Sequence, residues 1–188
     1  MSSIYLALVH SPVLNKKGEL VTTSVTNLDI HDIARSCRTF GIAQYFIVTP
    51  LLAQHQILKN LLGHWETDRA NVYNPDRKDA LGLITVVNQV DEAIDWVEKR
   101  EKVAPLVVVT GASFNHPTGS AKDLKDKLKF DKTPAIVLFG TGWGLPASLT
   151  ERAHYLLDSI KGYSEDGYNH LSVRSAVAIY LDRLRRDL

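Results

Sequence analysis

The residues that first invite a chemical reading are the glycines of Phe139-Gly140-Thr141-Gly142-Trp143-Gly144-Leu145-Pro146, which follow an apolar run at 135–139. Glycines at alternate positions let the backbone turn sharply and approach a ligand closely. A loop at the carboxyl end of a parallel strand is where α/β proteins bind ligands. A dinucleotide fingerprint is excluded, because its third glycine would fall at 145, which is Leu. A phosphate loop is excluded too, since no G-x-x-x-x-G-K-[S/T] occurs. The plain alternative is a turn that holds nothing.

A second constellation runs from Leu157-Asp158-Ser159-Ile160-Lys161-Gly162 to Tyr168-Asn169-His170-Leu171-Ser172-Val173-Arg174-Ser175-Ala176. Here a polar, glycine-bearing loop opens a helix with Asn169 or Ser172 as its cap. Capping alone would also explain those two residues. His10 and His170 titrate near neutral pH and are candidate proton acceptors; a structural or solvated histidine is the plain alternative. Glu165 and Asp166 are further acids in the same loop. Arg35 carries a guanidinium, a fixed cation and a poor base, so it suits orienting a phosphate better than removing a proton. Its alternative is an ion pair with Asp32. The seven histidines lack H-x-x-x-H or H-x-x-E-H spacing and Cys37 is the single cysteine, which argues against metal catalysis.

These residues need elements to hold them. Apolar runs at 4–9, 45–49, 81–87, 106–110, 135–139 and 154–157 read as strands. Helical periodicity covers 27–40, with Ile30, Ile33, Ala34, Cys37 and Phe40 on one face, Asn27 or Asp29 as cap and Gly41 as stop. Further helices are expected after Pro50, around 90–97, at 121–129 and from Leu171, the last with a wide apolar stripe that would pack on the core or on a partner. Residues 66–80 read as a polar, irregular loop. Alternating strands and helices predict an α/β fold, a mostly parallel sheet flanked by helices. At 188 residues and 45% apolar content the chain is read as one domain, 1–188. Formal net charge is only +1, so a nucleic-acid surface would need local clusters. Arg174, Arg183, Arg185 and Arg186 form one, and Lys122, Lys125, Lys127, Lys129 and Lys132 another. The lone cysteine, the absence of a signal pattern and the lack of any apolar run near the ~20 residues of a membrane span predict a cytoplasmic protein with no membrane partner.

Together FGTGWGL at 139–145, the Ile160–Gly162 loop and NHLSVRSA at 169–176 resemble the SPOUT family of RNA methyltransferases. NLDIHDIARSCRTFG, with Asn27, Arg35 and Gly41, resembles that family's early helix, in which an asparagine precedes a catalytic arginine. The closest likeness is to a stand-alone bacterial subgroup. The resemblance implies a C-terminal deep trefoil knot within about 105–188, S-adenosylmethionine as cofactor, tRNA or rRNA as substrate and a homodimer. It implies a cofactor site made of Thr110, Gly111, Leu138, Phe139, Gly140, Thr141, Gly142, Gly144, Ile160, Gly162, Tyr168, Asn169, Leu171 and Ser175. Arg35, Asn169 and Ser172 are the expected catalytic residues. Gly142→Val is expected to fill the adenosine space. The N-x-S-x-A turn of the family's ribose methyltransferases is not reproduced by LSVRS at 171–175, which leaves base methylation open. The rival readings are a knotted module that binds cofactor or RNA without methyl transfer, and a dehydrogenase-like nucleotide enzyme.

Overall fold

The computed structural model describes residues 2–65 and 74–186. β1 (Ile4–Val9) leads through a hairpin, β2 (Val13–Leu14) and β3 (Leu20–Val21), into α1 (Asn27–Thr39). β4 (Tyr45–Val48), α2 (Leu52–Trp65), α3 (Pro75–Leu81) and β5 (Ile84–Val87) follow. Next come α4 (Val90–Glu101), β6 (Leu106–Val109), α5 (Ala121–Asp131) and β7 (Ala135–Gly140). α6 (Ala147–Thr150), β8 (Tyr155–Leu156) and α7 (Val173–Arg185) complete the described chain. Six strands pair in the order β5-β4-β1-β7-β6-β8, all in parallel.

The burial explains the pattern. Every residue of β1 is buried, with Ile4, Leu6 and Leu8 on one sheet face and Tyr5, Ala7 and Val9 on the other. A parallel strand covered on both faces reads as an unbroken apolar run rather than an alternating one. Residues of α1, α2, α3, α5 and α7 cover the first face, and α4, α6 and β2 cover the second. The apolar stripe of α7 (Val177, Tyr180, Leu181, Leu184) lies in the core, which decides between core and partner.

Several boundaries differ from the sequence reading. Thr26, not Asn27 or Asp29, caps α1: its Oγ1 accepts from the Asp29 N–H at 3.2 Å and donates to Asp29 Oδ2 at 2.6 Å. Part of the loop expected at 66–80 is helix α3, begun by Asn74 as cap and Pro75 in its first turn, so Leu81 ends a helix instead of starting a strand. Residues 66–73 of that loop lie outside the described residues. Ser172 rather than Asn169 caps α7. The hairpin was not expected, although Asn15 and Gly18 between two apolar pairs signal it: Asn15 Oδ1 accepts from the N–H groups of Lys17 and Glu19 at 2.8 and 3.0 Å.

Candidate active site

Three loops leave the carboxyl ends of adjacent strands, 110–119 after β6, 141–146 after β7 and 157–172 after β8. The first and third are bonded to each other, and the first is tied to β7 just below the glycine loop. The N–H and Oγ1 of Thr110 both donate to the Leu138 carbonyl, at 3.1 and 3.0 Å. The Ser159 hydroxyl donates to the Gly111 carbonyl at 3.0 Å, and the Asp158 N–H to that of Gly119 at 2.9 Å. Asn169 Nδ2 donates to the Ile160 carbonyl at 2.8 Å and closes the third loop on itself. The Tyr180 hydroxyl on α7 donates to the Asp158 carbonyl at 2.7 Å, and burial raises its pKa.

The expected site residues take distinct positions in this arrangement. Leu138 and Phe139 reach it only through their backbone. Their side chains are core on opposite faces, the Phe139 ring 6.0 Å from that of Tyr180. The Leu138 carbonyl is already taken twice by Thr110. A side chain on Gly140 would strike Leu145 and Gly144 within the turn itself, at 2.9 and 3.1 Å. Gly142 has φ +60, and a Cβ there would lie 2.9 Å from the Leu14 carbonyl oxygen. It therefore faces the hairpin, not the neighbouring loops, which replaces the adenosine-filling reason given for Gly142→Val. Gly144 has φ +102 with open space beside it. Gly162 packs against the Tyr168 carbonyl, and Gly111 lies under the Phe114 ring. Tyr168 and Leu171 are exposed, while Ile160 is half-buried. Ser172 Oγ accepts from the Ser175 N–H at 3.2 Å and lies 3.0 Å from its hydroxyl, so both serve the helix cap.

Arg35 is exposed on α1. It forms no ion pair with Asp32 among the described residues; Asp32 instead lies 3.6 Å from Arg174 Nε. Sequence reasoning missed the partner that matters more. Arg174 Nη1 donates to buried Asp29 at 2.8 Å, tying the start of α7 to the start of α1 across 145 residues. That contact also removes Arg174 from the basic surface expected on α7. Arg185 donates to the carbonyls of Ser2 and Gly41, and Arg186 pairs with Asp182 at 3.0 Å. In the lysine cluster, buried Lys125 donates to the Arg186 carbonyl and Lys127 pairs with Asp131 at 2.6 Å.

His10, at the end of β1, is fully buried. Burial lowers its pKa from 6.5 to about 4, against an opposing pull from Asp29. The folded value lies below the unfolded one, so its stability contribution is complete above about 6.5 and is lost as pH falls through about 4. Burial lowers His31 in the same direction. Urea unfolding is expected to show a loss of about 3 kcal/mol attributable to His10 between pH 7 and pH 4. His10→Gln should flatten that dependence; an unchanged slope would acquit the residue.

A parallel sheet whose carboxyl edge carries neighbouring, glycine-bearing loops defines the class of α/β proteins that bind their ligands at that edge. Within that class, the model of the SAM-dependent RNA methyltransferase family matches residues 3–186, and the chain belongs to this family. It is 44% identical over 98% of its length to a tRNA (guanine-N(1)-)-methyltransferase of Oleidesulfovibrio alaskensis, covering 42% of that relative. It is 36% identical to an uncharacterized protein of Aquifex aeolicus, covering 97% of this chain and 88% of that one. The chain thus spans less than half of the first relative and most of the second. Among solved structures, a probable methylase of Haemophilus influenzae superposes with TM-score 0.64 at 20% identity, over 98% of this chain and 65% of that one. The SpoU methyltransferase AviRb of Streptomyces viridochromogenes, in complex with AdoMet, superposes with TM-score 0.57 at 18% identity, over 97% and 57%. The fold is therefore the SPOUT fold. Among the described residues no helix is long and apolar enough to cross a membrane.

Proposed function

We propose that this chain, acting as a single cytoplasmic domain, transfers the methyl group of S-adenosylmethionine to a base of tRNA from the edge where its three loops meet. The observation that carries this is the meeting of three loops at the carboxyl ends of adjacent parallel strands, the first and third bonded through Ser159–Gly111 and the first tied to β7 through Thr110–Leu138, just below the glycine loop. The residues suit a nucleoside. Backbone N–H groups of Gly111 and Leu171 have no protein partner among the described residues, and adenine is recognised well by such groups. Ile160 and Leu171 supply apolar cover. When bound, the cofactor supplies an electrophilic methyl on sulfur. The chain then has to hold the acceptor in line, which alone removes much of the entropic barrier.

For the RNA, the same edge presents exposed Trp143, Tyr163 and Tyr168 beside Lys161 and His170. Unpaired bases are read by stacking on such rings. The tRNA reading is supported by the Oleidesulfovibrio relative. Threading of the C-terminal segment is supported by its path: from edge strand β8 it returns to bury α7 under β7, and it is bonded on the way to Gly111 and Gly119. A homodimer is supported by exposed Leu28, Leu52 and Ile57 on α1 and α2. Sedimentation at micromolar concentration would test it.

Transfer of labelled methyl from S-adenosylmethionine to RNA of a strain lacking the gene tests the activity. Incorporation into tRNA is expected, and binding without incorporation would favour the non-catalytic module. Arg35, exposed on α1 and assigned here to an RNA phosphate, gives a sharper check. Arg35→Ala should cut incorporation about tenfold at limiting RNA, near the cost of one charge-assisted contact, while S-adenosylhomocysteine affinity stays the same. An unaltered rate would remove Arg35 from the active site.

A further inference from the structure

The glycine loop is fastened to an element that the family motifs do not include. The Trp143 N–H donates to the Leu14 carbonyl and the Leu14 N–H to that of Gly144, both at 2.9 Å. Beneath these bonds a chain of side chains runs back to the end of β1. Thr141 Oγ1 donates to the Val9 carbonyl at 3.0 Å, so it accepts from the Thr23 hydroxyl, 2.5 Å away. Thr23 in turn accepts from Nδ1 of His10 at 3.0 Å. With every donor pointing the same way, the Nδ1–H tautomer of His10 completes the chain; the other acceptor within reach of the Thr23 hydroxyl, the His10 carbonyl, lies farther off at 3.5 Å. Its Nε2 is buried and has no partner among the described residues.

Stability does not account for this arrangement. A buried acceptor left unpaired costs about 1–3 kcal/mol, and an apolar side chain at the same place would avoid the cost. What the chain does achieve is geometric. It fixes the Thr141 side chain, and the hairpin covers the β1 side of the loop. We propose that Thr23 and His10 are positioning residues, acting through Thr141 to hold the glycine loop in the shape that receives S-adenosylmethionine. This rests on the cofactor site proposed above.

The test is calorimetry with S-adenosylhomocysteine on the full chain, with nitrogen-15 NMR of the histidines. Thr23→Val should weaken affinity about tenfold at unchanged stoichiometry, and Thr23→Ser should restore it to within twofold. The His10 resonance should report Nδ1–H in the wild type and a mixture of tautomers in Thr23→Val. If Thr23→Val fails to fold, Thr141→Val is read the same way. Unchanged affinity in the valine variant would overturn the proposal, as would a loss confined to stoichiometry, which marks a folding role. A wild type that does not bind would instead refute the cofactor site itself.

Discussion

Gly142→Val is expected to abolish measurable S-adenosylhomocysteine binding and to destabilise the fold by about 2–4 kcal/mol. Two effects add. Position 142 has φ +60, where a β-branched residue is strained. Its new Cβ would also stand 2.9 Å from the Leu14 carbonyl oxygen, the acceptor that holds the Trp143 N–H. The substitution therefore pries the hairpin from the loop. Gly144→Ala is the stability control: it meets comparable backbone strain at φ +102 but no protein neighbour, so its loss should stay near 1–2 kcal/mol. Hydrogen exchange reads the mechanism directly. The Leu14 and Trp143 amides should lose protection in Gly142→Val, and if both stay protected this explanation is wrong.

Asp29→Ala is expected to cost about 3 kcal/mol in urea unfolding. Asp29 is 5% exposed and accepts from both Arg174 Nη1 and the Thr26 hydroxyl. Truncation leaves the half-buried Arg174 side chain only Asp32, at 3.6 Å, and weakens the cap of α1. Partial exposure of Arg174 keeps the estimate at the low end of the range for buried pairs. A double-mutant cycle with Arg174→Leu should return a coupling of about 1–2 kcal/mol. Additive losses would mean that the two helix starts are held by something else.

Most of the sheet was legible because a doubly covered parallel strand leaves an apolar run, as Ile4–Val9 and Ala135–Phe139 do. The helices α1, α4 and α7 announced themselves by periodicity, while α5 was expected only as a short helix at 121–129. What escaped notice lacked such a signal. The strands of the hairpin are two residues each, below any useful period. Helix α3 reads PDRKDAL and buries only its last two residues. The three loops were foreseen as a group through their likeness to the SPOUT motifs, not through any local pattern. Side-chain direction was not: nothing local says that Gly142 faces Leu14, or that Leu138 spends its carbonyl on Thr110. Asp29 read as a possible helix cap and Arg174 as part of a basic cluster, since sequence distance hides the contact that makes them a pair.

The central position of β1 has a consequence for synthesis. One neighbour, β7, begins 131 residues after it, with Ile4 beside Ala135. At the usual ribosomal pace of about 5–20 residues per second, that flank stays open for roughly 7–26 s. During this interval β1 exposes unpaired N–H and C=O groups on a wholly apolar strand, an invitation to stick to other chains. Its protector has to be transient and foreign, so the nascent protein should depend on a holding chaperone far more than the finished one does.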